Sequence, residues 1–412
     1  MSFKLTPIAL LVMALYAVGV RADDADTPMY SFSGYGTLGV VHSSENKADF
    51  TSNASKPNGA GYSRSWSADV DSLIAGQVIA NLTPQLTAVV QVISEQNYDN
   101  TYRPHVEWAN IKYQLTPDIS ARVGRIVLPV FLVSDFRKVG YANPWVRTPV
   151  EVYGLLPITN SDGLDASYRV RIGEFTNTVQ GLYGQSDPTF PSGIGTLKAK
   201  DMWGIAYTGE AGAATAHITY LKTNVSIDSF KPLFDGFRQF GAEGIALADK
   251  YDLSKVHLSF ISLGAMYDPG GWFVMSEWCA IDSKAVTVKR HAWYASGGYR
   301  IGNFTPYLTY ARVKADINPA DPGLTVSALP PFLAGTAIAL NAGLSNVLRS
   351  VPVQNTVSIG GRWDFMKNAD IKLQFDHTRI DTGTIGSLIN IQPDYQTGGK
   401  VNVFSATIDF VF

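Results

Sequence analysis

The chain of 412 residues has a single cysteine, Cys279, so it can close no internal disulfide and cannot assemble a thiolate metal site. Charge is scarce as well. Asp, Glu, Lys and Arg make up 17 % of the residues, below the ~25 % of an average globular chain. The 33 basic residues nearly balance 35 acidic ones, which leaves no basic stripe for nucleic acid. The six histidines show no HxxxH spacing and no GxSxG elbow occurs, so zinc and serine-hydrolase motifs are missing. Beyond Val20 no apolar run approaches the ~20 residues of a membrane helix, and no blade-like repeat is visible. With 20 Tyr, 20 Phe and 8 Trp, disorder is excluded too.

What is present begins with an export signature. Lys4 gives a positive start, Ile8 to Val20 is unbroken apolar sequence, and Val20-Arg21-Ala22 closes on a small residue. Residues 1–22 are therefore expected to be a signal peptide, and 23–412 a single domain. No cysteine follows the apolar run, which rules out a lipoprotein anchor.

The remainder alternates with period 2, the mark of strands with one apolar face. Phe404, Ala406, Ile408, Phe410 and Phe412 share one face, with Ser405, Thr407 and Asp409 on the other. The same pattern runs through 109–115, 164–172, 357–365 and 371–376. Two kinds of break take turns between such runs. Short ones, rich in Pro, Gly, Asn and Asp, fall at 83–85, 116–118, 173–175, 209–213, 268–271, 301–303 and 366–369. Long ones fall at 43–61, 96–104, 127–161, 185–200, 223–254, 283–290, 315–353 and 381–400. The expectation is an all-β, transmembrane, antiparallel 16-stranded barrel with short turns on one rim and long loops on the other. Runs of about 9–13 residues suit the ~25 Å apolar band of such barrels better than soluble strands of ~5–6 residues. Aromatics near the run ends (Trp66, Trp203, Trp272, Trp278, Trp293, Tyr299, Trp363, Phe404 and Phe412) are placed for interfacial girdles. The opposite faces, rich in Thr, Ser, Gln, Lys, Arg and Asp, suggest a wet interior and not a packed one.

A signal peptide, 16 alternating segments and a last strand ending Ile408-Asp409-Phe410-Val411-Phe412 resemble the Gram-negative outer-membrane porins. Ser33-Gly34-Tyr35-Gly36-Thr37-Leu38-Gly39 is similar to the first strand of such a porin. The block from Glu107 to Pro117, continued by Val123 to Pro129, is similar to their fourth strand, turn, fifth strand and entry to loop 3, and also to the phosphate-selective porins. The resemblance implies a passive channel in the bacterial outer membrane, contacting outer-membrane lipid and assembling as a homotrimer. It makes Phe412 the assembly signal. It also implies an inward-folding third loop, although the Pro-Glu-Phe-Gly type of motif common in that loop is not present.

Two motifs imitate chemistry. Gly34 to Gly39 matches GxGxxG, yet Val40-Val41-His42 follows and no helix start does, so close packing in a strand explains the glycines. Asp376 and His377 are adjacent in a strand and point to opposite faces, so they form no dyad.

The candidate site is electrostatic. Lys112, Arg122, Arg169 and Arg362 lie on polar faces, three of them on consecutive strands. Facing them would be loop 3, with Asp135 and Glu151 and the bases Arg137, Lys138 and Arg147. Charges in a narrow pore with low-dielectric walls act on passing solutes. The leading reading is a diffusion channel for ions and small hydrophilic solutes, needing no cofactor, no metal and no covalent step. The alternatives are a porin specific for an anion such as phosphate or an organic acid, and a non-conducting barrel that serves as adhesin, receptor or enzyme.

Overall fold

The computed structural model describes residues 28–191, 195–315 and 317–412; the expected signal segment 1–22 lies outside them. Sixteen antiparallel strands form a closed meander. They are β1 (Tyr30–Ser43), β2 (Leu73–Asn81), β3 (Leu86–Glu95), β4 (His105–Gln114), β5 (Ile119–Val127), β6 (Asn160–Ile172), β7 (Phe175–Ser186) and β8 (Leu197–Ala211). Then come β9 (Ala214–Ile227), β10 (Lys255–Tyr267), β11 (Trp272–Ser283), β12 (Arg290–Tyr299), β13 (Phe304–Ala315), β14 (Gln354–Met366), β15 (Ala369–Ile380) and β16 (Gly399–Val411). The strands run from 9 to 15 residues, slightly longer than the alternation suggests.

Every short and long break coincides with a junction between strands, although some strands run into the expected breaks, β8 to Ala211 within 209–213 and β9 to Ile227 within 223–254, and the first loop is longer than expected. The first loop continues to residue 72, because Trp66–Ser67 makes only a two-residue ladder with Val41 and His42 on β1. Three links are only two residues long, between β6 and β7, between β8 and β9, and Lys367-Asn368 between β14 and β15; glycine serves the first two. There Gly173 (φ 62°) and Gly212 (φ 56°) supply the positive φ that such hairpins demand.

Closure joins β1 to β16, with Thr37 opposite Asp409 and Val41 opposite Ser405. The Phe412 and Phe410 rings cover Gly34 and Gly36. A Cβ on either glycine would stand 2.2–2.4 Å from a ring carbon. The glycine-rich first strand is thus a bed for the last strand's aromatics. Backbone bonds of 2.9 and 3.0 Å between Gly34 and Phe412 complete the seam.

The girdle aromatics face outward, from Trp293 at 36 % exposure to Phe412 at 66 %. All five outward tryptophans on barrel strands (Trp203, Trp272, Trp278, Trp293 and Trp363) lie between β8 and β14.

Helix content exceeds the expectation. The loops after β9 and β13 carry helices, which with α1 (Val150–Tyr153) are α2 (Lys231–Arg238), α3 (Gly241–Tyr251) and α4 (Pro331–Arg349). Helix α4 is long and apolar enough to cross a membrane, contrary to the sequence reading. Thr336, Asn341 and Ser345 interrupt its run in the sequence, but a helix tolerates them. It packs instead through Ala337, Leu344 and Leu348 on Phe234, Phe237 and Tyr251 of α2 and α3.

Candidate functional site

The chain between β5 and β6, residues 128–159, folds into the barrel and crosses it. Its sequence is apolar, and Leu128, Phe131, Val133, Trp145, Val152 and Tyr153 are almost wholly buried. They pack on inward residues of β8 to β13, among them Met202, Leu221, Phe260, Met275, Cys279 and Tyr294. Phe131 meets Phe260 edge-on at 5.5 Å, and Trp145 meets Tyr294 likewise at 5.5 Å. This corrects the expectation of a wet interior all round: the inner wall of β8–β13 is a dry core shared with loop 3. The sparse polar groups on that wall fix the loop. Glu277 on β11 accepts from the Leu132 amide (2.9 Å), the Ser262 hydroxyl (2.7 Å) and the Tyr153 hydroxyl (2.9 Å). The Trp145 indole donates to Ser296 Oγ at 2.9 Å and Thr309 Oγ1 at 3.0 Å.

The far side of the loop is lashed to β14–β16 by charge. Arg147 pairs with Asp71 (2.6 Å) and Asp376 (3.1 Å), donates to Ser405 Oγ (2.6 Å), and lies over the Phe50 ring. Lys372, fully buried, donates to the Gly140 carbonyl (2.6 Å) and pairs with Asp409 (3.1 Å). On the opposite flank Lys138 bridges Glu95 (2.7 Å) and Glu107 (2.9 Å). A bulge in β4 turns Glu107 inward beside Trp108.

The sequence-chosen residues divide between these regions. Lys112 and Arg122 are register partners on β4 and β5, and Arg122 is in turn opposite Asp165 on β6. Arg122 grips Asp165 through two nitrogens, at 3.0 and 2.5 Å, and Gln180 Nε2 adds a bond at 2.8 Å. Asp135 lies within electrostatic range of both Arg122 and Asp165. Burial raises its carboxyl above the usual aspartate range, with Arg122 opposing the shift. Arg169 stands nearer the short-turn rim, exposed, 3.3 Å from Glu210.

Arg362 and Glu151 are not brought to this group. Arg362 pairs with Asp364 (2.7 Å) and Asp370 (3.0 Å) and donates to the Tyr141 carbonyl (2.6 Å), holding the loop's tip. Glu151 is buried on the β14 side, accepting from Gln354 Nε2 (2.7 Å) and from the Thr356 hydroxyl. Sequence reasoning missed Asp165, Glu277 and Asp376. Asp165 was legible, since it shares the polar face of β6 with Arg169. The other two needed the path of loop 3.

Among the described residues no group of three or more His, Cys, Asp and Glu could hold a metal ion. The arrangement is a cross-barrel loop with one dry side, leaving a polar wall on β3–β7 where Gln91, Lys112, Arg122, Asp165 and Gln180 project inward. Asp376 is bound to Arg147, whereas His377 points the other way and meets Asn402 at 2.7 Å. The GxGxxG match is the seam described above.

No family profile matches the sequence, and no curated protein matches it either. Solved structures are similar in fold. The outer membrane channel DcaP of Acinetobacter baumannii superposes with a TM-score of 0.54 at 10 % identity, covering 95 % of this chain and 100 % of that one. OmpF of Salmonella typhi, solved with daunomycin, gives 0.54 at 11 % identity over 93 % and 97 %. The trimer form of OmpT, an outer membrane protein of Vibrio cholerae, gives 0.52 at 12 % identity over 93 % and 100 %.

Proposed function

We propose that the chain is an outer-membrane porin, exported by residues 1–22, through which ions and small hydrophilic solutes diffuse passively. The observation that carries this reading is loop 3 crossing a closed barrel. Its dry side packs on the inner wall of β8–β13, and its acidic residue Asp135 lies near the Lys112–Arg122–Asp165 row on β4–β6. Fixed charges of both signs across a narrow aqueous gap act by field and size alone, without a cofactor or covalent step. The decisive measurement is single-channel conductance of the refolded chain in a planar bilayer, with reversal potential in a salt gradient. Ohmic conductance with a reversal potential set by Arg122 supports the reading. Electrical silence of folded protein refutes it.

A homotrimer is part of the same proposal. The outward faces of β1–β7 carry no tryptophan, and near the long-loop rim they carry the pair Arg125–Asp162, at 2.7 and 2.8 Å. Beside it is a hollow lined by Ala109, Gly124 and Gly163. Such a wall suits protein contact better than lipid. Cross-linking in detergent that yields only monomer would remove the trimer. Phe412 is proposed as an assembly element through its ring on Gly34; Phe412→Ala is expected to lower the yield of heat-modifiable barrel.

A further inference from the structure

Inward guanidinium groups in this barrel are satisfied by the chain itself. Arg122 has Asp165, Arg147 has Asp71 and Asp376, and Arg362 has Asp364 and Asp370. Arg290 differs. It opens β12 at the long-loop rim and shares its inward face with Ala292 and Tyr294, both at 0 % exposure. Its register partners are Ile281 on β11 and Ala315 on β13. Ala285 and Val288 of the loop before it belong to the same apolar cluster. Among the described residues Arg290 has no carboxylate or carbonyl acceptor, and its Nε is buried without a partner.

Leaving a cation half-withdrawn from water without an acceptor is costly, and the cost disappears when an anion completes it. A guanidinium in apolar surroundings offers a planar fork of donors that matches a carboxylate or a phosphate. We infer that Arg290 is an anion-binding position at the long-loop mouth, receiving the carboxylate or phosphate of a small anionic solute before it reaches the Arg122 row. This deepens the channel reading and rests on it for the role in permeation, while binding itself can be measured separately.

The test uses the full folded chain and inorganic phosphate, with chloride at matched ionic strength as the control. Phosphate should raise the temperature at which the barrel loses its heat-modifiable gel mobility. It should also reduce single-channel current saturably from the long-loop side. Arg290→Gln should weaken both responses at least about tenfold, as expected for a charge-assisted bond, while Arg290→Lys retains part of them. Asp316, which follows Ala315 in the chain, provides the control. Asp316→Asn should respond like the unaltered protein. The inference is overturned if R290Q responds as the unaltered protein does. It is also overturned if phosphate acts only on Asp316→Asn, because Arg290 would then already have its acceptor in the chain. A silent bilayer with an intact phosphate shift in gel mobility would sink the channel reading and leave the site standing.

Discussion

The two inner walls of the barrel are built on the same strand geometry and face the same loop, yet one is a protein core and the other an aqueous surface. On β8–β13 the inward positions are mostly apolar, among them Met202, Leu221, Leu258, Phe260, Met275 and Ile281, and loop 3 meets them with Phe131, Val152 and Tyr153. On β3–β7 the inward positions include Gln91, Lys112, Arg122, Asp165 and Gln180, with Ile93 and Leu182 at the edge of the core, and the loop turns Asp135 towards the polar group. Strand pairing is indifferent to this choice, since backbone bonds close the barrel either way. The difference lies in what each wall faces. Apolar inward side chains are stabilised only where another apolar surface removes water from them. A wide barrel can therefore be made narrow from one side, while the opposite side keeps its charges in water.

The strongest way to break the contrast is to remove the loop's crossing segment. Deleting residues 135–147 takes away Arg147, Lys138 and Trp145 together and opens the polar side; single-channel conductance should rise several-fold. Unchanged conductance would mean that the loop does not narrow the path. Next in size is Arg147→Ala, which leaves Asp71 and Asp376 buried without their cation. Removing one partner of a buried pair typically costs about 3–5 kcal/mol. Here the loss should appear as proteolytic cleavage of loop 3 in otherwise folded barrels, and a loop that stays resistant would show that the apolar side alone holds it.

Smaller effects sharpen the polar wall. Arg122→Ala should move the reversal potential towards cations, because it uncovers Asp165. Arg169→Ala should move it the same way but less, since Arg169 is exposed and its pair with Glu210 is screened. Equal shifts, or none, would contradict the placement of the narrow region beside β5. The smallest expected effect is titration of Asp135. With its carboxyl raised by burial, the folded chain holds this proton more tightly than the unfolded chain does. Its contribution to stability is thus largest in acid and is lost as pH rises through the raised value. In the open channel, acidification should neutralise Asp135 above the usual aspartate range and increase preference for anions. Asp135→Asn should remove that pH dependence of the reversal potential. If it persists in the variant, another group is responsible.

Period-2 alternation and turn chemistry were enough to place all sixteen strands, because those signals are local. The interior was read less well. Strands such as β6 and β16, with a polar inner face, alternate cleanly and suggested water throughout. Strand β11, Trp272-Phe273-Val274-Met275 and onward, is apolar on both faces, one towards the girdle and one towards loop 3, so its alternation is nearly invisible. The division of the chosen charges has the same origin. Parity shows that Arg122 and Arg362 both point inward, but it cannot tell which meets open water and which meets the loop's Tyr141 carbonyl.

The contact of the loop's tip with the closing strands bears on the order of assembly. Gly140 lies directly against Asp409 and Thr37, the pair that joins β16 to β1, and Lys372 ties Asp409 to the Gly140 carbonyl. These partners stand up to 372 positions apart in the chain, so none of their bonds can form while the strands are still being laid down in order. The apolar stretch of the loop, meanwhile, has nowhere dry to go until β8–β13 curl around it. The loop's tip and the closing strands thus share their side-chain partners. A barrel closed without its loop in place lacks the Gly140 carbonyl that accepts from Lys372, the buried cation paired with Asp409 along the seam.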